Sequence, residues 1–313
     1  MTREIGDIIG MVRSRPDETF ALATLVNTHG SSYRLPGARM LVARDGRSVG
    51  SLSGGCLEQE VIERAREVLQ SGMPSLMRFD TRQRFGCHGE IEILVERADP
   101  KVLDQLSEFH SSRRIARLLT PNDLRAADGG TRLIPNDEIV TGSAFVQDVT
   151  PTVQLVVVGD GPDCAALSRL AETLGWTLHA VQNVSELSGA FDAWTAVLVK
   201  THNYGRDFAA LRFFLPLNLP YVGLLGPRRR REQLLGDLLD TGIQGSETLY
   251  SPAGHDLGGD SPESIALSVI AEIHAVFAGR TGNHLRELRV PIHPARSNVP
   301  VVLAAPGARP AGP

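Results

Sequence analysis

The chain has 313 residues, 42% hydrophobic and 22% charged, with 32 Lys and Arg against 36 Asp and Glu for a net charge of −4. At a usual ~150 residues per domain this length suggests two domains, and the composition calls for no fibrous, disordered or membrane-embedded class. A slightly acidic balance offers a polyanion no general attraction, so nucleic-acid binding is not expected. No run nears the ~18 consecutive apolar residues of a membrane span, and the start MTREIGDIIGMVRSRPDE has no apolar signal core, so the cytoplasm is the expected compartment. Three cysteines make no disulfide framework; reduced thiols are expected, and their neighbours matter more than their number.

Apolar residues at helical spacing predict a helix over Ile5 to Val12, and FALATLVN (20–27) reads as a buried strand. Met40 to Ala43, the turn Asp45-Gly46 and an extended piece near Val49 form a strand–turn–strand signal. Gln59 to Leu69 places Val61, Ile62, Ala65, Val68 and Leu69 on one helical face. Ser75 to Phe79 and Glu90 to Val95 read as a hairpin-like pair around DTRQRFGCHG. From about 99 to 150 periodicity is poor: one helix over Val102 to Phe109, turn signals and short β-prone stretches, read as the end of a domain plus connector. The last residues, rich in Pro, Ala and Gly, read as a loose tail.

From Val153 short β-branched runs alternate with helical segments. VQLVVV, Leu178 to Val181, Ala196 to Val199 and Tyr221 to Leu225 read as strands; Asp163 to Leu174, Arg206 to Phe214, Arg229 to Leu239 and Glu263 to Phe277 read as helices. That alternation predicts a parallel sheet with helices on both faces, a Rossmann-like arrangement. The first strand runs into Gly159-Asp160-Gly161, which permits a tight turn and the approach of a pyrophosphate to a helix N-terminus. The acid that usually binds a ribose after the second strand is absent, with Gln182 and Asn183 in its place. His202 follows the third strand, at the carboxyl edge where open α/β folds bind ligands; Arg228 opens a helix after the fourth strand as a candidate anion clamp, and Asp256 lies in a glycine-rich loop before the last helix.

In the first half, Cys56 follows Gly54-Gly55 and precedes a helix, a setting in which the helix dipole favours the thiolate. Cys87 lies in Gly86-Cys87-His88-Gly89, with a histidine suited to proton transfer or metal binding; buried inert thiols are the alternative for both. Arg34 and Arg39 precede the cysteine loop and are candidates to hold an anion beside a thiol, and Glu58 suits the first helical turn. Cys164, on the helix after the glycine turn, reads as packing.

Seven blocks in order, GSSYRLPGARMLV, VGSLSGGCLEQEV, RFDTRQRFGCHGEIEILVE, LVVVGDGPD, VKTHNYGRD, YVGLLGPRRRR and SPAGHDLGGDSPESIALSVIAEI, resemble the successive motifs of the XdhC/CoxI family. The resemblance implies an α/β chain: a mixed α+β XdhC/CoxI domain over 1–115, a connector over 116–150, a doubly wound parallel-sheet Rossmann-like domain over 151–285 and a tail over 286–313. It also implies an accessory chaperone that binds molybdenum cofactor, supports its sulfuration with a cysteine desulfurase and delivers it to a molybdenum hydroxylase apoenzyme such as xanthine dehydrogenase. On that reading Cys56 and Cys87 stand at the molybdenum or the transferred sulfur. Arg34, Arg39, Gly54, Gly55, Glu58, Gly159, Gly161, His202, Arg228 and Asp256 are the other candidate cofactor contacts, a nucleotide in the second domain included. The competing readings are an NAD(P)-dependent oxidoreductase and a ligand-free adaptor of the hydroxylase. The exposed edges expected of a β-rich domain are compatible with a homodimer.

Overall fold

Side chains alternate along the early strands, giving the first sheet two faces to bury, and each face takes a different cover. The computed structural model describes residues 3–30, 32–80, 89–122, 124, 130–138, 140, 144–243, 247–289 and 292. Strand β1 (Phe20–Gly30) is central in an antiparallel sheet of order β3-β2-β1-β5-β4, with β2 (Arg39–Ala43), β3 (Ser48–Gly50), β4 (Ser75–Asp80) and β5 (Gly89–Arg97). Ala21, Ala23 and Leu25 of β1 with Met40 and Val42 of β2 pack on helix α2 (Glu58–Ser71) through Val61, Ala65, Val68 and Leu69. Phe20, Leu22, Leu41 and Ala43 face the other way, against α1 (Arg3–Ser14) and α3 (Pro100–Ser111). Helix α3 starts where its sequence dictates: Asp99 accepts the Lys101 amide and Pro100 takes the first helical position.

Residues 116–150, read from sequence as a connector, carry a second antiparallel sheet of order β7-β6-β8: β6 (Ala116–Pro121), β7 (Arg132–Ile134) and β8 (Ala144–Val149). Leu118 and Val149 add to the cover over α1 and α3. Arg117 and Asp148 stand opposite each other on β6 and β8 and form a two-pronged ion pair, Nε to Oδ1 at 2.6 Å and Nη2 to Oδ2 at 3.0 Å.

The chain divides into one compact unit up to Pro151 and another from Thr152 to Ile292. In the second, β9 (Gln154–Val158), β10 (Thr177–Val181), β11 (Thr195–Val199), β12 (Tyr221–Leu224) and β13 (Leu249–Tyr250) are all parallel, in the order β10-β9-β11-β12-β13. Leu155 and Val157 pack toward α4 (Asp163–Thr173) and α7 (Pro262–Phe277), while Val156 and Val158 pack toward α5 (Tyr204–Phe214) and α6 (Arg228–Asp240). The sheet is therefore doubly wound, as expected. The direction of winding reverses between β9 and β11, which makes their carboxyl ends the crevice of a Rossmann-like fold. Among the described residues no helix is long and apolar enough to cross a membrane.

The first unit also buries charge. Arg39, expected beside a bound anion, is only 1% exposed and points from β2 toward β8 instead. Its Nη1 donates to the Gly37 carbonyl at 3.0 Å and to the side chain of Gln147. Burial lowers its pKa to about 10, against the charges of Glu4 and Glu96, which hold it up. Gly37 makes room for this contact: it has φ +97, and a Cβ there would lie 2.5 Å from the Gln147 amide nitrogen. Arg39 thus ties the two sheets of the unit together. Arg39→Ala would leave a void and two unmatched acceptors, with an expected loss of about 3–5 kcal/mol. Urea denaturation should show a lower midpoint at unchanged slope, and a wild-type midpoint would remove Arg39 from the core.

Candidate functional site

The loop between β3 and α2 is pinned by one hydroxyl and one carboxylate. Ser53 Oγ accepts the amides of Gly55, Cys56 and Leu57 at 3.2, 3.2 and 3.3 Å and donates to Glu58 Oε2 at 2.6 Å. Glu58 in turn accepts the amides of Leu52, Ser53 and Leu57 at 3.1, 2.9 and 3.1 Å. Burial raises the Glu58 pKa, but the hydrogen bonds from the Ser53 hydroxyl and the loop amides outweigh it and hold the carboxyl below its ordinary 4.5. The amides of Gly55, Cys56 and Leu57 are therefore already committed to Ser53 and Glu58. Glu58 braces the loop from within.

Cys56 itself is exposed, with Sγ 3.9 Å from Ser53 Oγ. A Cβ on Gly54 or Gly55 would meet nothing within 4 Å, so the space beside the thiol is open; Gly55 is needed for its φ of +108. Arg34 supports the same loop, donating from Nη1 to Ser51 Oγ at 2.9 Å and from Nη2 to Glu4 Oε2 at 2.5 Å. Glu4 is 8% exposed and also accepts the Arg39 amide at 2.8 Å, which joins α1, β2 and the cysteine loop in one network. Cys87, with Gly86 and His88, lies outside the described residues. Among the described residues no three His, Cys, Asp or Glu side chains converge to hold a metal ion.

The second unit gathers its candidates at the carboxyl edge of the parallel sheet. Gly159 and Gly161 follow β9, His202 follows β11, Arg228 opens α6 after β12, and Asp256 lies in the loop after β13. His202 is exposed in a left-handed conformation (φ 54) within a turn that its neighbours hold. Asp207 Oδ1 accepts the Thr201 amide and hydroxyl at 3.1 and 2.5 Å, and Asn203 caps α5 by accepting the Arg206 amide at 3.1 Å. Arg230 pairs with buried Asp207 at 2.5 Å, while Arg228 and Asp256 are exposed. Cys164 is partly buried against the sheet's core, as expected.

The structure thus brings Arg34, Gly54, Gly55, Cys56 and Glu58 together in one unit and places Gly159, Gly161, His202, Arg228 and Asp256 along one edge of the other. Sequence reasoning passed over Ser53, Glu4, Asp207 and Lys200. The five-residue step from Ser53 to Glu58 is not a capping-box spacing. Lys200 merely ends an apolar run.

Two family models match the chain: the XdhC and CoxI family over residues 14–80 and the XdhC Rossmann domain over residues 155–273, together more than half of it. The chain belongs to the XdhC/CoxI family. It is 29% identical to a Bacillus subtilis protein described as a probable subunit of xanthine dehydrogenase, across 82% of this chain and 92% of that protein. It is 26% identical to the "Molybdenum cofactor insertion chaperone PaoD" of Escherichia coli, across 82% of each. A crystal structure described as a xanthine dehydrogenase from Bacillus halodurans shares the fold, with a TM-score of 0.74 and 24% identity over 90% of this chain and 97% of its own. For this XdhC/CoxI member the brace generates a signed pH effect. With its folded pKa below 4.5, Glu58 contributes stability that is fully present above that value and lost as pH falls through the lower folded one. Glu58→Gln is expected to cost on the order of 1 kcal/mol at neutral pH and to flatten the acid limb of stability below pH 4.5. Urea titrations across that range measure both, and an unchanged acid limb would remove Glu58 from the brace.

Proposed function

We propose that the chain is an accessory chaperone that binds molybdenum cofactor, supports its sulfuration and delivers it to a molybdenum hydroxylase such as xanthine dehydrogenase. The observation that carries this reading is the Cys56 thiol, exposed on open space at the head of a loop that Ser53 and Glu58 hold rigid. Family membership and likeness to a protein named as a cofactor insertion chaperone support it.

The donor chemistry fits the group: a thiolate is a soft ligand, suited to molybdenum or to sulfur. When bound, the cofactor supplies the molybdenum centre that the hydroxylase requires. Cys56 holds that centre or the sulfur bound for it, with a cysteine desulfurase as the sulfur source. Ser53 and Glu58 spend their hydrogen bonds on the loop backbone, so the thiol meets its ligand without a loop to order. Arg34, committed to Ser51 and Glu4, anchors the loop from behind. Arg39 belongs to the core.

Anaerobic incubation with isolated molybdenum cofactor, followed by gel filtration and metal analysis of the protein peak, tests the proposal. Near-stoichiometric molybdenum is expected for the wild type, with most of it lost in Cys56→Ser. Because Cys56 is exposed, that variant should melt within about 0.5 kcal/mol of wild type, so the loss would not reflect unfolding. Molybdenum retained equally by Cys56→Ser would overturn the thiol's role, and none retained by the wild type would overturn the chaperone reading.

A further inference from the structure

The Rossmann-like crevice between β9 and β11 is filled from inside. Lys200, the residue after β11, has no exposed surface, and its Nζ donates to the Asp160 carbonyl at 2.5 Å and pairs with Asp163 Oδ1 at 2.8 Å. Nζ also lies 3.5 Å from Cys164 Sγ. In dinucleotide-binding folds the second glycine of the turn lacks a side chain so that the pyrophosphate can come close. Here the same direction from Gly161 leads to protein: a Cβ would lie 3.1 Å from Lys200 Nζ and 3.1 Å from Asp163 Oδ1. Gly159 is explained in the same way. It has φ +117, and a Cβ there would lie 2.6 Å from the Lys200 carbonyl oxygen, so the glycine lets the ends of β9 and β11 meet.

The ribose side of the crevice also lacks its usual acid. After β10 stand Gln182 and Asn183 rather than an acid, and the carboxylate in that turn, Glu186, accepts the Gln182 amide and the Asn183 side chain, each at 3.1 Å. A dinucleotide would have to displace a buried ion pair, meet the Asp163 carboxylate with its own negative charge and find no acid free for its ribose.

We infer that Lys200 is a specificity-determining residue: with Asp163 it forms an internal plug that takes the pyrophosphate place and excludes dinucleotides from this unit. The glycine turn is a packing device. Any ligand at this edge is recognised from the exposed turns, such as the one that carries His202. This inference does not depend on the chaperone reading.

Calorimetric titration of the purified full-length chain with NAD+, NADH, NADPH and FAD tests it directly. No saturable binding is expected up to about 1 mM. Saturable binding of any of the four to the wild type would overturn the plug. A double-mutant cycle tests the pair itself. Lys200→Met and Asp163→Leu should each lower Tm by leaving one buried charge unmatched, and the double variant should recover much of the loss. Additive losses would mean that the two side chains do not neutralise each other. If the single variants fail to fold, the wild-type titration still decides the question.

Discussion

A charge inside a sheet protein must find its counter-charge or its hydrogen bonds within the protein, and each unit of this chain fully buries one long cationic side chain. In the first it is the Arg39 guanidinium, between the large antiparallel sheet and the small one. In the second it is the Lys200 ammonium, at the carboxyl end of a central parallel strand. The local geometry follows from how each is accommodated. Gly37 gives up a side chain for the Gln147 contact, and Gly161 gives one up for Lys200 and Asp163.

These buried charges have opposite consequences for ligand chemistry. Around Arg39, the backbone contact with Glu4 leads through Arg34 to Ser51 and so to the cysteine loop, where the polar groups serve the backbone and leave the thiol outward. A braced loop behind an exposed thiol leaves little for an incoming ligand to order. Around Lys200, the polar groups close on one another, and the part of a Rossmann-like unit that usually receives phosphate is spent on internal neutralisation. The fold is shared with nucleotide-binding proteins, while the site is decided by a few side chains.

The second unit was legible because its central strands, buried on both faces, read as continuous apolar runs, and helices of 11 to 16 residues keep their apolar period. The small sheet of the first unit was not. Its strands are three to six residues long with mixed burial, so neither periodicity nor length marks them, and a connector was the natural reading. Among site residues, Cys56 stood out because glycines precede a thiol before a helix and Glu58 because a carboxylate suits a first helical turn, whereas Ser53 acts through hydrogen bonds whose spacing matches no short motif. Arg39 was misplaced for a general reason: an arginine beside a glycine-rich loop reads as an anion ligand, and only the strand's alternation together with the sheet above it turns the side chain inward.

The sequence by itself determined a division into two domains, the parallel character of the second sheet and the family, because periodicity, β-branching and seven ordered motifs are properties of the chain alone. Tertiary structure decided which polar residues face solvent and which face each other. Arg39 and Arg34 look alike in sequence, yet one is sealed between two sheets and the other supports a loop. Gly159 and Gly161 spell a phosphate-binding turn until Lys200, some forty positions away, is brought beneath it. The pairing of buried charges is set by contacts between residues distant in the chain, and local spacing carries no record of it.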